Sequence, residues 1–231
     1  MKLLSASTKK ADRVVAISQS VKDSLQQYFK TPENKISVVY NGVEITKFKR
    51  IEKDYTSLKI IYVGRLIELK GVQLTLQALA QIGNINYHFK IVGDGSYRKD
   101  LQDMAKELGI AEKVEFLGSR RDVPELLQAA NVFIHMPIWE EGFGISVIEA
   151  MASGLICICA NNGAIPEIID DNIDGYLVKK NNIIELAEKL KMVALLKPDD
   201  ISRISENAVK KAEVFSIKNF ASNLDDLILK L

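Results

Sequence analysis

Apolar positions along this chain switch between two periods, and the switches mark its elements. Short β-branched runs fall at 58–63, 87–92, 113–117, 132–136 and 155–159, with a weaker sixth at 175–178. Between them apolar residues recur three or four apart, as Leu101, Met104, Ala105 and Leu108 do. That is the stripe of a helix packed on one side. Helices are predicted over 72–82, around 101–108, from Asp122 onward and over 145–153; Asp122 with Glu125 three residues on makes a capping-box pattern. Apolar strands that alternate this regularly with helices bury both faces. The prediction is an α/β, Rossmann-like, doubly wound parallel sheet over 58–214.

The flanks follow the same rules without closing a second domain. Residues 11–17 and 36–40 are two further strands. Between them Ser20, with Asp23, opens an amphipathic helix carrying Val21, Leu25, Tyr28 and Phe29. Residues 1–45 therefore match the closing strand–helix–strand of another α/β domain. Residues 46–57 are polar with little periodicity and are predicted as a linker, and after residue 176 the pattern is helical over 183–196, 201–214 and 217–229.

Length agrees with that division: 231 residues is about one and a half domains of ordinary size. With 31 Lys and Arg against 30 Asp and Glu, the net charge of +1 offers no electropositive footprint for nucleic acid. No run reaches the ~20 apolar residues of a membrane span, and the first residues lack the apolar core of a leader. Peripheral membrane contact stays compatible with the composition. Cys157 and Cys159 share one face of an apolar strand, too far apart for a disulfide. Two small buried thiols imply a reducing, cytoplasmic setting. His88 and His135 fall within strands and are expected to be packing residues.

Candidate chemistry lies in the loops after the strands, where open parallel sheets bind ligands. Gly64-Arg65 and Lys70-Gly71 follow the first central strand, and two cations five residues apart suit a diphosphate. Glu141 and Glu149 are separated by seven residues. Gly142-Phe143-Gly144 between them lets backbone approach a ligand, and the helix starting near Ile145 aims free N–H groups at the same space. Gly93-Asp-Gly95 resembles a dinucleotide fingerprint but fails at its last glycine, where Arg98 stands, and it follows the second strand. The chain has no Gly-x4-Gly-Lys-Ser/Thr loop and no Asp-x-Asp pair to hold a divalent cation.

Together Val63-Gly-Arg65, Lys70-Gly71, Ile91-Val-Gly-Asp-Gly95, Val114-Glu-Phe-Leu-Gly118, Glu141-Gly-Phe-Gly144, Glu149-Ala-Met151 and Gly163-Ala-Ile-Pro-Glu167 resemble the retaining GT-B glycosyltransferases of family four, over about 11–231 and in the family's order. The resemblance implies a second GT-B domain that binds a UDP- or GDP-sugar as substrate, with no cofactor and no metal. It implies that Arg65 and Lys70 grip the pyrophosphate, that Glu149 binds the ribose and that Glu141 contacts the transferred hexose. Gly64, Gly93, Phe143, Gly144 and Ile145 would complete the donor site, and Gly118, Ser119 and Arg120 would meet the base. Retention would proceed by front-face attack without a protein nucleophile. Segment 215–231 would cross back onto the first domain, most of which the family has and this chain lacks, along with the histidine and acceptor site it carries. A partner chain or self-association would supply or cover that half. The family's usual second glycine is Ala164 here. Two other readings stay open: a non-catalytic nucleotide-sugar-binding module that needs a partner chain, and a sugar-nucleotide epimerase of similar fold.

Overall fold

The computed structural model describes residues 7, 8 and 10–229. What is expected of residues 1–6, 9, 230 and 231, including most of the leader question, lies outside them. The first unit consists of β1 (Val14–Ala16), α1 (Gln19–Phe29) and β2 (Ile36–Val38), the two strands pairing in parallel with Val14 opposite Ile36. The predicted Ser20/Asp23 start of α1 is corrected by one turn chemistry: Ser18 is the cap, its Oγ accepting from Val21 N–H at 3.0 Å. Asp23 accepts instead from the Gln19 side chain at 2.7 Å.

The larger unit runs β3 (Leu58–Val63), α2 (Val72–Leu79), β4 (Tyr87–Val92), α3 (Arg98–Glu107), β5 (Val114–Gly118), α4 (Val123–Ala129), β6 (Val132–His135), α5 (Ile145–Ala152), β7 (Ile156–Asn161), α6 (Ile165–Ile168) and β8 (Tyr176–Lys179). Helices α7 (Ile183–Val193), α8 (Pro198–Val214) and α9 (Ile217–Ile228) close the chain. The strands form one parallel sheet in the order β5-β4-β3-β6-β7-β8. Side chains sort by parity, as a period of two requires. Leu58, Ile60, Tyr62, Val132, Ile134, Ile156 and Ile158 pack on one face with α2, α3 and α7. Ile61, Phe133, Cys157 and Cys159 pack on the other with α5 and α8. Both cysteines are free and buried on that single face, as expected.

The chain places β4 and β5 on one side of β3, then returns to lay β6 against its other side. Strand order reverses there, and the crevice beyond the carboxyl ends at such a point is where open α/β sheets bind ligands. Four of the helices are anchored differently from the sequence expectation. Asp122 does precede α4, but its side chain caps nothing, so the capping box is corrected; both its oxygens take Arg120 at 2.8 and 2.6 Å. Helices α2, α7 and α8 are bounded by Leu79, Val193 and Pro198 rather than the longer or later limits of the apolar pattern.

Stretch 46–57 is fastened to the larger unit rather than free. Arg50 donates to Ser205 at 2.8 Å and Ser202 at 3.0 Å. The buried Asn131 amide donates to the carbonyls of Asp54 and Ser57 at 2.7 and 2.8 Å, and its oxygen accepts from Lys59 N–H at 2.7 Å. One buried amide thus satisfies three backbone groups that the strand ends leave open.

The two units are joined through α6 and the end of α8. Glu167 accepts from the backbone N–H groups of Gln19 and Ser20 at 2.8 and 2.9 Å, capping α1 from across the boundary. Tyr40 also bonds Glu167, and burial together with that bond raises its phenol above the ordinary range. Val43 N–H donates to Phe215 at 2.8 Å and Ile217 N–H to Val43 at 3.0 Å, which brings α9 back against the first unit. The rings of Tyr40, Phe143 and Phe215 meet pairwise at centroid distances of 6.0, 5.4 and 5.7 Å. On α9, Phe220, Leu224 and Leu227 are half-buried and Ile228 is exposed. Glu167→Ala is expected to speed amide exchange at Gln19 and Ser20 by about five-fold, since a helix cap contributes roughly 1 kcal/mol, while β3 and β6 exchange as before. Unchanged exchange at Gln19 and Ser20 would show the cap to be idle.

Candidate functional site

Two loops meet at the reversal point. The loop after β3 ends in a single 3-10 turn, Glu68–Lys70, and the loop after β6 carries Glu141 to the start of α5. They are bonded to each other: Ile138 N–H donates to the Leu69 carbonyl at 2.9 Å. The buried Asn162 amide pins the second loop from behind, donating to the carbonyls of Pro137 and Trp139 at 3.0 and 2.8 Å. Ala164 N–H holds the Glu141 carbonyl at 2.8 Å, and Ser18 Oγ–H reaches over from the first unit to the Gly142 carbonyl at 2.8 Å. Backbone this fully bonded fixes where the Glu141 side chain starts.

The Glu141 carboxylate receives Lys70 Nζ at 2.5 Å and His135 Nε2 at 2.9 Å, both on Oε2. Burial pushes this carboxyl up, but the hydrogen bonds from His135 and Lys70, with the Lys70 charge beside it, outweigh it and hold the group down at about 2. It is a carboxylate at any ordinary pH. Glu149, in α5, has the opposite setting. Burial alone acts on it, with no compensating cation, and pushes its carboxyl up to about 7. Two glutamates eight positions apart are therefore held in different electrostatic states.

Of the expected site residues, Lys70 and Glu141 are in direct contact. Arg65 lies exposed in the same loop as Lys70; its carbonyl accepts from the Tyr62 hydroxyl at 3.0 Å, and its guanidinium makes no ion pair among the described residues. Gly144 caps α5, which has no side-chain cap and no acidic residue in its first turn, and Ile145 is exposed beside it. The Phe143 ring is buried at 3 % exposure between Tyr40 and Phe215, so it supports the loop from below. Gly64 and Gly93 lie back to back where the β3 and β4 loops cross. Gly118 ends β5 and its carbonyl accepts from Gly93 N–H at 2.8 Å. Ser119 is exposed beyond it, and Arg120 is engaged by Asp122.

His135 was expected to be a packing residue, and that expectation is corrected. It is buried, but it bonds a site carboxylate. The signal available in the sequence was positional: it is the last residue of an apolar strand, six residues before Glu141. The half-exposed His88 lies beside Glu115 on another face, at 4.0 Å.

Residues 43–211 match the family Glycosyl transferases group 1, and residues 1–47 match Glycosyltransferase Family 4. The D-inositol 3-phosphate glycosyltransferase of Corynebacterium kroppenstedtii is 31% identical over 242 aligned positions, covering 94% of this chain and 53% of the relative. The N-acetyl-alpha-D-glucosaminyl L-malate synthase of Bacillus anthracis is 32% identical over 203, covering 84% and 52%. The chain thus spans about half the length of the curated relatives it matches. Among solved structures, Anabaena HepE in complex with UDP and glucose superposes with a TM-score of 0.91 at 24% identity, covering all of this chain and 66% of that one. That likeness shows the fold: the second domain of a GT-B architecture with part of the first. No described helix is long and apolar enough to cross a membrane. With the family match running through β3 to α8 and the bonded site loops inside it, the chain belongs to the glycosyl transferases group 1 family.

Proposed function

We propose that this chain is the donor-binding part of a hexosyltransferase that takes a UDP- or GDP-sugar and retains anomeric configuration, without a metal. The observation that carries the reading is the pair of unlike glutamates at the reversal point. Glu149 is a half-buried carboxyl with no cation on it among the described residues, which suits a neutral donor pair such as ribose hydroxyls. Glu141 is an ionised carboxylate whose Oε1 has no partner among the described residues, which suits a hydroxyl of the transferred sugar. Arg65, with no ion pair among the described residues, and the remaining protons of Lys70 suit the diphosphate, where they would stabilise the charge that builds on the leaving group. A solved neighbour holds UDP and glucose on the same fold, which agrees with that ligand class.

In this reading the acceptor is selected by first-domain residues that are not part of these 231, carried on another stretch of polypeptide or on a partner. A partner chain would dock on the first unit and α9. Calorimetry with UDP, GDP and ADP in the presence of EDTA is expected to show one of them binding. Binding abolished by the chelator and restored by manganese would overturn the metal-free reading, and binding of none of the three would overturn the donor site itself.

A further inference from the structure

We propose that His135 is a positioning residue for Glu141, its imidazole carrying the proton on Nε2 and holding one carboxylate oxygen so that the other stays free for the ligand. The proposal rests on the reading of Glu141 as a group that contacts the transferred sugar. Its geometry does not.

A carboxylate only accepts, so at 2.9 Å Nε2 is the donor and the ring proton lies there. Nδ1 is fully enclosed and has no hydrogen-bond partner among the described residues. A proton on it would be a buried donor without an acceptor, which proteins avoid, so it carries a lone pair. A histidine serving the core alone has no reason to spend its single bond on a site carboxylate while leaving its other nitrogen empty. The ring cannot swing, because the side chain is 4% exposed and is flanked by Tyr62 and Phe133 at centroid distances of 6.1 and 6.3 Å.

Lys70 and His135 then have separate tasks on the same oxygen. Lys70 supplies charge, but from a four-carbon stem that tolerates many directions. His135 supplies direction from a ring at the end of a strand, and sites built on rigid elements hold their groups more closely than sites on loops. Because both bonds converge on Oε2, Oε1 is left without a protein partner among the described residues. The Glu141 main chain is fixed independently by Ala164 N–H at 2.8 Å. What remains to be set is the side-chain torsion, and His135 sets it.

The chain has two histidines, so a 15N-histidine spectrum with His88→Gln as the assignment control reads His135 directly. The expected pattern is a protonated Nε2 and a bare Nδ1 in the free protein, with the Nε2 proton shifted upfield in Glu141→Leu. A protonated Nδ1 with a bare Nε2, or no response to Glu141→Leu, overturns the proposal. The second arm measures UDP and UDP-glucose affinity. His135→Leu is expected to keep UDP affinity within about two-fold and to lose about ten-fold for UDP-glucose, the scale of one charged hydrogen bond, with His135→Gln recovering part of it. A merely structural histidine would weaken both ligands alike and lower the melting temperature in step; that result also overturns the proposal. A wild-type chain that binds no nucleotide counts against the donor-site reading alone, because the tautomer and its coupling to Glu141 are read from the free protein.

Discussion

Gly93→Ala is expected to lower the melting temperature by about 8–16 °C. Gly93 sits at φ 129°, and a Cβ there would lie 1.9 Å from the Gly64 carbonyl oxygen. Neither group can step aside cheaply. Gly64 N–H is bonded to Val92 at 3.0 Å and Gly93 N–H to Gly118 at 2.8 Å, so relief means prising apart the ends of β3, β4 and β5. A non-glycine residue at such a φ costs roughly 1–3 kcal/mol, and a backbone overlap brings the total to the order of 4 kcal/mol. For a chain of this size about 2–4 °C are lost per kcal/mol. Gly83→Ala is the control: its φ is also positive, at 68°, but nothing lies within 4 Å of the added carbon. Its expected loss is about 2–4 °C, from a conformational cost of ~1 kcal/mol. Thermal denaturation of both variants decides it, and equal shifts would mean that the crossing of the two loops is not a tight contact.

Glu149→Gln is expected to raise stability at pH 8 and leave it unchanged at pH 4. The folded state pushes this carboxyl up to about 7 from an ordinary 4.5, by burial. Folding therefore favours the protonated form. Below the ordinary value both states carry the proton and nothing is lost; as pH rises towards 7 the folded state is held back, and above 7 the penalty is complete. Discounted for the group's partial exposure, the penalty is on the order of 2 kcal/mol, or about 4–8 °C for the neutral variant at pH 8. Under the proposed function the same variant binds nucleoside diphosphate more weakly. Wild-type affinity would rise by up to about ten-fold from pH 6 to pH 8 with release of a proton, because ligand hydroxyls favour the ionised form. A gain in stability that is the same at pH 4 and pH 8 would show that packing, not charge, sets the effect.

The central sheet was legible because its strands are β-branched, mostly apolar runs bounded by polar loops, nearly all buried in β6 and β7 and interrupted in β3, β4 and β5 by Lys59, His88, Lys90 and Glu115. The two-face sorting of Ile60 against Ile61, or Ile158 against Cys159, follows from parity alone. Caps were less legible, since a cap is chosen by which acceptor reaches the free N–H groups. The first turn of α1 is served by Ser18 and by Glu167, nearly 150 residues away, and no local pattern contains that partner. Asp122 failed as a cap because Arg120 competes for both its oxygens. Stretch 46–57 has no periodicity because it is held by scattered polar bonds of Arg50, Tyr55 and the Asp54 carbonyl and by isolated apolar contacts of Phe48 and Tyr55, not by a regular apolar face. Lys70 and Glu141 were both named from their loops. His135 escaped because its chemistry shows only when the strand end is placed beside the loop it holds.

The aromatic stack of Tyr40, Phe143 and Phe215 has a practical consequence for anyone who wishes to transplant this site. Composition changes at about residue 45, which invites a cut there. Such an excision removes Tyr40 from one side of Phe143, wets a ring that is 3% exposed in the intact chain, and does so two residues from Glu141. It also strips the Ser18 hydroxyl from the Gly142 carbonyl. The smallest portable piece that keeps the loop in shape therefore begins ahead of β1, with the first unit travelling as a brace for the glutamate.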